Sequence, residues 1–216
     1  MEKKISVIIP AFNEEKNIES VIEIVRKCKF VEEIIVVDNL STDKTSELAL
    51  KAGATVVKSE SQGKGYAMED GIKVAKNDII VFLDADIPSY SEDVVYQLAG
   101  PIIERNVDFV KSKFDREGGR VTELVAKPML KILFPDMQYF SQPLSGMIAG
   151  KKEVFANVEF EKDYGVDIGI LLDVINSDCT VEEVMIGKIV NNSKDWKSLD
   201  KMSTEVMRAI LKRRII

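Results

Sequence analysis

Short apolar runs alternate with amphipathic segments along the first half of the chain. Runs rich in Val and Ile predict four β-strands, at Ile5–Pro10, Glu33–Asp38, Thr55–Lys58 and Asp78–Leu83. Apolar positions at helical spacing predict helices between them, over Asn17–Lys27, Thr42–Ala52 and Tyr66–Ala75. Alternating strands and helices of this kind predict an α/β fold, with a mainly parallel, Rossmann-like sheet covered by helices on both faces.

The second half of the chain has a less regular pattern. Extended segments are predicted at Phe109–Phe114 and Val181–Val190, and helices at Thr122–Phe134, Val166–Ile175 and Ser198–Leu211. A break in the pattern near Pro88–Ser91 separates residues 1–90 from residues 91–216. A chain of 216 residues can bury one substantial core, so we interpret these parts as two halves of a single domain.

Composition excludes several classes of function. Thirty basic and 36 acidic residues give a net charge of −6, which disfavours binding to nucleic acid. The chain has no histidine, which rules out His-based triads and imidazole metal ligands. Cys28 and Cys179 are isolated, as is typical of a reducing compartment. No apolar stretch approaches the ~20 residues of a membrane span, so we expect a cytoplasmic protein without integral membrane association.

Polar residues follow the predicted parallel strands at the points where these strands end. Asn13 and Glu14 follow the first strand, Asp38 ends the second, and Asp84 and Asp86 follow the fourth. Ligands of open parallel sheets bind beyond the carboxyl ends of the strands, so these residues indicate one shared cleft. Two carboxylates at such an edge can hold Mg²⁺ or Mn²⁺ and leave coordination positions for a diphosphate.

Two glycine-containing loops indicate anion sites. Gly63-Lys64-Gly65 lacks the Ser or Thr that a Walker loop has after its lysine, and we interpret it as a flexible loop that presents Lys64 to a nucleotide. Gly118-Gly119-Arg120 precedes a predicted helix and suits the phosphate or carboxylate of an acceptor. Asp163 and Asp167 lie near the start of another helix, where capping and catalysis are both open.

Together these segments resemble those of a known enzyme family. The first half resembles the glycosyltransferases with the A-type fold through residues 6–15, Val37–Asp43, Gly63–Gly65 and Asp84–Asp86. The second half resembles the glucosyl-3-phosphoglycerate synthases through Gly119–Pro128, Gln142–Gly146 and Tyr164–Gly169. Those enzymes transfer glucose from a nucleotide donor to 3-phosphoglycerate with retention at the anomeric carbon.

The resemblance implies a metal-dependent hexosyltransferase that uses Mg²⁺ or Mn²⁺. It would transfer the sugar of a UDP- or GDP-sugar to a small phosphorylated acceptor. A homodimer is compatible with the resemblance. It implies a nucleotide-sugar-binding half over 1–90 and an acceptor-binding half over 91–216. The donor residues would be Pro10, Ala11, Asn13, Glu14, Asn39, Lys64, Asp84, Ala85 and Asp86. The acceptor residues would be Gly119, Arg120, Val121, Thr122 and Tyr164, and the catalytic ones Asp86, Asp167 and Lys64.

The sequence departs from the family at two positions. Asp167 stands where the family usually has Glu, which shortens its reach by one methylene. Asn191 stands where the family has a metal-binding histidine, so the implied metal ligands are Asp84, Asp86 and Asn191. An amide oxygen is a weaker ligand than imidazole for Mn²⁺ but is acceptable for Mg²⁺. The metal preference is then altered, or Asp167 or water completes the metal's coordination shell, or activity is impaired. A catalytically impaired protein that only binds nucleotide sugars therefore stays open.

A second alternative is sugar transfer to a polyprenyl phosphate at a membrane. A basic cluster near the C-terminus favours it, although such clusters more often complement a helix dipole. This cluster consists of Arg208, Lys212, Arg213 and Arg214. We expect Trp196, the single tryptophan, to be a packing residue rather than part of a ligand site.

Overall fold

The computed structural model describes residues 3–115, 119–137, 140–189 and 196–214. The strands of this part of the chain are β1 (Ile5–Ala11), β2 (Val31–Asp38), β3 (Thr55–Lys58), β4 (Ile79–Phe82), β5 (Phe109–Asp115), β6 (Ile148–Lys151) and β7 (Val181–Lys188). They form one seven-stranded sheet in the order β3-β2-β1-β4-β6-β5-β7. Only β6 runs against its neighbours, β4 and β5. The predicted mainly parallel sheet is confirmed.

Helices cover both faces of this sheet, as predicted. They are α1 (Ile18–Arg26), α2 (Thr45–Lys51), α3 (Lys64–Val74), α4 (Val94–Arg105), α5 (Lys127–Leu133), α6 (Lys152–Phe155), α7 (Val166–Ile175) and α8 (Trp196–Lys212). Apolar side chains of α1 and α4 belong to one core, and those of α3, α7 and α8 to the other. None of the helices in the described ranges has the length and apolar composition that a bilayer crossing requires.

The continuous apolar run of β1 follows from its central place in the sheet. Val7 and Ile9 point into the core beneath α1 and α4, whereas Ile8 between them points into the core beneath α3 and α7. All three are fully buried. Burial on both faces removes the polar positions that a half-exposed strand would show, and the strand therefore reads as apolar throughout.

Three elements were missed by the sequence pattern, α4, β6 and α6, and the first two have a local cause. Helix α4 contains Pro101 within its span, and Gly100 precedes it, so the usual signs of a break lie inside a buried helix. Strand β6 has only four residues, includes Gly150, and leads directly into α6. A strand so short shows no alternation that distinguishes it from a loop.

The helix predicted over Thr122–Phe134 is present as one continuous run over 120–133, but it contains a π-helical turn. A π-helical turn covers Thr122–Ala126 and is followed by α5. Pro128 occupies the first turn of α5, where it has no N–H to donate to a carbonyl one turn earlier. The missing donor accounts for the wider turn that precedes it.

Candidate active site

A cleft of about 610 Å³ opens at the edge of the sheet where β1, β2 and β4 end. Strand β6 runs in the opposite direction, so the loop before it enters the same cleft. The predicted residues that line it are Pro10, Ala11, Glu14, Asn39, Lys64, Asp84, Ala85, Asp86, Gly119, Arg120, Val121, Thr122, Tyr164 and Asp167. The two halves of the chain thus contribute to one cavity.

Lys64 and two carboxylates form the centre of the cleft. Its ammonium donates to Oδ1 of Asp84 over 2.8 Å and to Oδ2 of Asp167 over 2.9 Å. Burial by itself would lower the pKa of Lys64, but the carboxylates of Asp167 and Asp84 outweigh burial and raise this pKa above its ordinary value. Lys64 is therefore a permanent cation, and a donor diphosphate would compete with these carboxylates for it.

Asp167 is held in a largely dry environment at the start of α7. Its side chain is 5% exposed, and burial raises the pKa of its carboxyl group despite the nearby Lys64. The second oxygen, Oδ1, is buried and has no hydrogen-bond partner among the described residues. Below it, the fully buried Lys111 donates to the backbone oxygens of Asp167, over 3.1 Å, and Ser145, over 2.7 Å.

Burial lowers the pKa of Lys111 to about 8. The interaction of its ammonium with two carbonyl dipoles fixes the start of α7 relative to the loop before β6. Gly146 in this loop leaves room for the central cluster, because a Cβ there would overlap the ammonium of Lys64 and lie 2.7 Å from Oδ1 of Asp84. Neither Lys111 nor Gly146 was predicted as a site residue, since neither follows a parallel strand end.

Asp84 and Asp86 lie directly after β4, as the sequence predicts. The hydroxyl of Tyr90 accepts from the Asp84 N–H over 3.0 Å and donates to its carbonyl over 3.1 Å. The Asp86 side chain is exposed. Glu14 faces this pair across the cleft: burial first, then the charges of Asp86, Asp43 and Asp84, raise the pKa of its carboxyl group.

These carboxylates can hold a cation only together with a ligand. Among the described residues no group of three or more carboxylate, thiol or imidazole side chains is arranged around one metal position. Two carboxylates that leave several positions open fit Mg²⁺, which in nucleotide sites is held by one or two carboxylates plus phosphate oxygens and water. The third implied ligand, Asn191, lies outside the described residues.

Asn39 organises the loop in front of Lys64. Its side-chain oxygen accepts from the Gly63 N–H over 2.7 Å, and its amide donates to the Ser61 carbonyl over 2.9 Å. Asn13 was expected among the donor-binding residues, but it is not one of the residues that line the cleft. Its side-chain oxygen instead accepts from the Thr42 N–H over 2.9 Å, which ties the loop after β1 to the loop after β2.

The Gly63-Lys64-Gly65 segment is not the flexible loop that the sequence suggested. Lys64 is the first residue of α3. A Cβ at Gly63 would overlap the carbonyl oxygen of Lys162, and one at Gly65 that of Glu161. The glycines allow the chain before α7 to pack against the start of α3, and this contact brings Lys64 to Asp167.

The residues predicted to bind the acceptor line the same cleft as those predicted to bind the donor. Gly119 begins the turn that carries Arg120, and its carbonyl accepts from the Glu123 N–H over 2.9 Å. Val121 and Thr122 are buried, whereas Arg120 is exposed. Tyr164 is 37% exposed and its N–H donates to Glu205 of α8 over 3.3 Å.

Several lining residues were not predicted. Many of them come from the loop before β6 and from α8: Gln142, Leu144, Ser145, Gly146, Met147, Leu199, Lys201, Met202 and Glu205. The sequence held a signal for the first group only, through the resemblance of Gln142–Gly146 to the synthases. The residues of α8 follow an amphipathic pattern and cannot be distinguished from ordinary helix positions.

Comparison with known proteins agrees with this arrangement. The sequence model of the family described as "Glycosyl transferase family 2" matches residues 6–155. The glucosyl-3-phosphoglycerate synthase of Mycobacterium tuberculosis H37Rv is 34% identical over 98% of this chain and 74% of its own length. The synthase of Petrotoga mobilis is 32% identical over 97% of this chain and 73% of its own. A dolichol-phosphate mannosyltransferase of Pyrococcus furiosus is 29% identical over 80% of this chain and 52% of its own.

Solved structures of the M. tuberculosis synthase share the fold. Its complex with Mg²⁺ and UDP superposes with a TM-score of 0.93 at 36% identity, and covers 98% of this chain and 79% of that chain. Its complex with Mn²⁺, UDP-glucose and phosphoglyceric acid has a TM-score of 0.92 over the same shares. The expected A-type glycosyltransferase fold is thereby confirmed. The chain therefore belongs to the family described as "Glycosyl transferase family 2" and to the family of the glucosyl-3-phosphoglycerate synthases.

Proposed function

We propose that this protein transfers glucose from UDP-glucose to 3-phosphoglycerate in the presence of Mg²⁺ or Mn²⁺. The observation that carries this proposal is the cleft itself. Lys64 lies between Asp84 on the donor side and Asp167 at the start of α7, and the exposed Arg120 lines the same cavity. A cation for a diphosphate and a second one for an acid acceptor are thus present in one site.

The donor would bind at the carboxyl ends of β1, β2 and β4. Pro10, Ala11, Glu14 and Asn39 line that part of the cleft and would contact the nucleoside. Asp84, Ala85 and Asp86 would contact the ribose and the diphosphate. Asp86 would bind the metal directly, and Asn191 would be a further metal ligand. The chemistry supplied by a bound cation is neutralisation of charge on the departing diphosphate. Lys64 would stabilise the same charge.

The environment of Asp167 supports transfer with retention. Inversion requires a protein base that removes the proton of the acceptor hydroxyl. Oδ2 of Asp167 accepts a hydrogen bond from Lys64, and Oδ1 is shielded from solvent. With Oδ2 engaged by Lys64, we assign Asp167 to positioning this cation. The departing phosphate would then accept the proton of the acceptor hydroxyl. The anomeric proton of the product, measured by NMR, separates the two outcomes.

Transfer to a polyprenyl phosphate is less well supported. Arg213, a member of the basic cluster that favours it, is 8% exposed and bonds to Asp173 and Glu161. Lys212 pairs with Glu161 over 3.2 Å. Two residues of the basic cluster, Lys212 and Arg213, thus form ion pairs within the fold. Sedimentation with vesicles that contain polyprenyl phosphate at low salt is the test, and co-sedimentation would favour this acceptor.

Two further expectations belong to this proposal. Both cysteines are free thiols, which supports a reducing cytoplasmic compartment. A homodimer is expected from the related enzymes, and light scattering on the purified protein would test it.

The decisive experiment combines the donor, the acceptor and the cation. Purified protein with UDP-glucose, 3-phosphoglycerate and Mg²⁺ or Mn²⁺ should release UDP and form glucosyl-phosphoglycerate, detected by mass spectrometry. EDTA should abolish the reaction. Asp86→Asn should reduce it strongly, whereas Glu92→Gln, an exposed carboxylate of a surface ion pair, serves as the control.

Thermal shift measurements with UDP or GDP separate the rival outcomes. UDP at about 100 times its dissociation constant should stabilise the fold by roughly 2.7 kcal/mol when a cation is present. Binding of UDP without transfer to any acceptor would support a nucleotide-sugar-binding protein instead. In that case Asn191→His should create activity. Absence of a shift with every nucleotide and metal would overturn the assignment of the donor site.

A further inference from the structure

Trp196 is not the core residue that its type suggests. It is the first residue of α8, and 74% of it is exposed to solvent. Its ring instead lies against the guanidinium of Arg120, with Cζ 4.8 Å from the ring centroid. Leu199, in the same first turn of α8, lines the cleft. The start of this helix therefore lies beside the acceptor end of the site.

Arg120 differs from two other arginines in the fold, Arg105 and Arg213, in its partners. Arg105 forms an ion pair with Glu182, and Arg213 pairs with Asp173 and Glu161. Within the described ranges, by contrast, Arg120 has no carboxylate partner, and its aromatic contact is with Trp196. Stacking uses the face of the guanidinium plane and leaves the N–H donors at its edge available. Those donors match a carboxylate or a phosphate in bidentate geometry.

We propose that Trp196 is a positioning residue for the acceptor: it holds the plane of Arg120 ready for the anionic end of the acceptor. This inference rests on the proposed function, because it takes Arg120 as the acceptor-binding arginine. An arginine side chain loses rotamer freedom when it binds a ligand, and a side chain already stacked on a ring loses less. The two residues are contributed by separate elements, so the contact also links the turn after β5 to α8.

Steady-state kinetics test the proposal directly. In Trp196→Leu the KM for 3-phosphoglycerate should rise about two- to fivefold, the factor that corresponds to an exposed cation–π contact. The KM for UDP-glucose and kcat should stay unchanged, since the ring touches neither the donor side nor the central cluster. Trp196→Tyr keeps an aromatic face and should restore most of the acceptor affinity. A merely structural role would not give this pattern.

Leu211→Ala is the matched control. Leu211 is also an exposed apolar residue of α8, 54% exposed, and lies near the opposite end of the helix. Its replacement should change neither KM. Melting temperatures of all three variants should match that of the wild type, which separates positioning from folding. An unchanged or lowered acceptor KM in Trp196→Leu would overturn the proposal.

The single tryptophan also makes a direct measurement available. Titration of the wild-type protein with 3-phosphoglycerate alone should give a saturable change in tryptophan fluorescence, and Arg120→Met should abolish it. A wild type that transfers no glucose but gives this signal would contradict the proposed reaction and support the role of Trp196. A wild type that transfers glucose without any fluorescence response would contradict the role of Trp196 alone.

Discussion

Lys64 donates a hydrogen bond of 2.9 Å to Asp167, although 103 positions of sequence separate them. The first residue lies at the start of α3 in the first half of the chain, and the second lies in the first turn of α7 in the second half. Their side chains are 19% and 5% exposed, so the ion pair lies in a weakly hydrated part of the cleft. The two halves of the domain are therefore joined at the place where we propose that sugar transfer occurs.

Replacement of Lys64 by methionine tests the importance of this cation. Lys64→Met keeps the length of the side chain and removes the charge that would stabilise the departing diphosphate. By analogy with the loss of one preorganised donor, kcat/KM should fall by about 10²–10³-fold. Lys73→Met on the same helix is the control, because Lys73 is 60% exposed and forms only surface ion pairs. Activity within tenfold of the wild type would contradict the assigned role of Lys64.

Two glycine substitutions separate close packing from helix propensity. Gly65→Ala should destabilise the protein by about 1–3 kcal/mol, because its Cβ would overlap the backbone of Glu161 and force the chain before α7 outward. Gly100→Ala lies within α4, where the nearest atom to a new Cβ is 4.0 Å away. It should be neutral or stabilise by about 0.5–1 kcal/mol. Urea denaturation measures both, and equal effects would contradict the packing argument.

The elements of residues 1–90 were predicted well from the sequence, and there is a physical reason for this. Strands buried on both faces carry unbroken Val and Ile runs, and residues that follow such strands must lie at one edge of the sheet. Asp84 and Asp86 could therefore be placed together without a structure. Helix α4 and strand β6 could not, since Pro101 interrupts the pattern of the first and the second is too short to show one.

The acceptor half of the site was less accessible to sequence reasoning. Its members converge from the loop before β6, the start of α7 and the inner face of α8. Lys111 looks like a surface residue of a strand, yet it is fully buried and bonds to two carbonyls. Trp196 looks like a core residue, yet it is exposed. Contacts between distant segments decide both positions, and no local pattern reports such contacts.

The hydroxyl of Tyr90 fixes the backbone of Asp84, and its removal should affect stability and donor binding together. Tyr90→Phe leaves the N–H and carbonyl of Asp84 without their partner, which should cost about 1–3 kcal/mol. It should also weaken the metal-dependent binding of UDP, measured by calorimetry. Tyr96→Phe is the control, since Tyr96 is 39% exposed and bonds to Glu104 at the surface. Full stability in Tyr90→Phe would show that water replaces the hydroxyl.

Asp108 should make the stability of the fold depend on pH through its contacts with β6 and with the residue that precedes β7. Its carboxylate accepts from Lys151 of β6 over 2.6 Å and from the Thr180 N–H, next to β7, over 2.8 Å. These bonds, that of Lys151 first, lower the pKa of Asp108 to about 2 from an ordinary value of 3.8. A carboxyl group whose pKa is lowered by folding stabilises the fold above its unfolded-state pKa and loses that contribution as pH falls through its folded-state pKa.

The Asp108→Asn variant isolates this contribution. At neutral pH it should lower the free energy of unfolding by about 1–2 kcal/mol, a value reduced for the partial exposure of the carboxylate. The difference from the wild type should begin to shrink as pH falls below 3.8 and should be largely lost at about pH 2, where half of the native carboxylate is protonated. Asp178→Asn, at an exposed position two residues before Thr180, provides the control. Urea denaturation over this range measures the difference, and a gap that stays constant with pH would mean that Asp108 acts through shape rather than through charge.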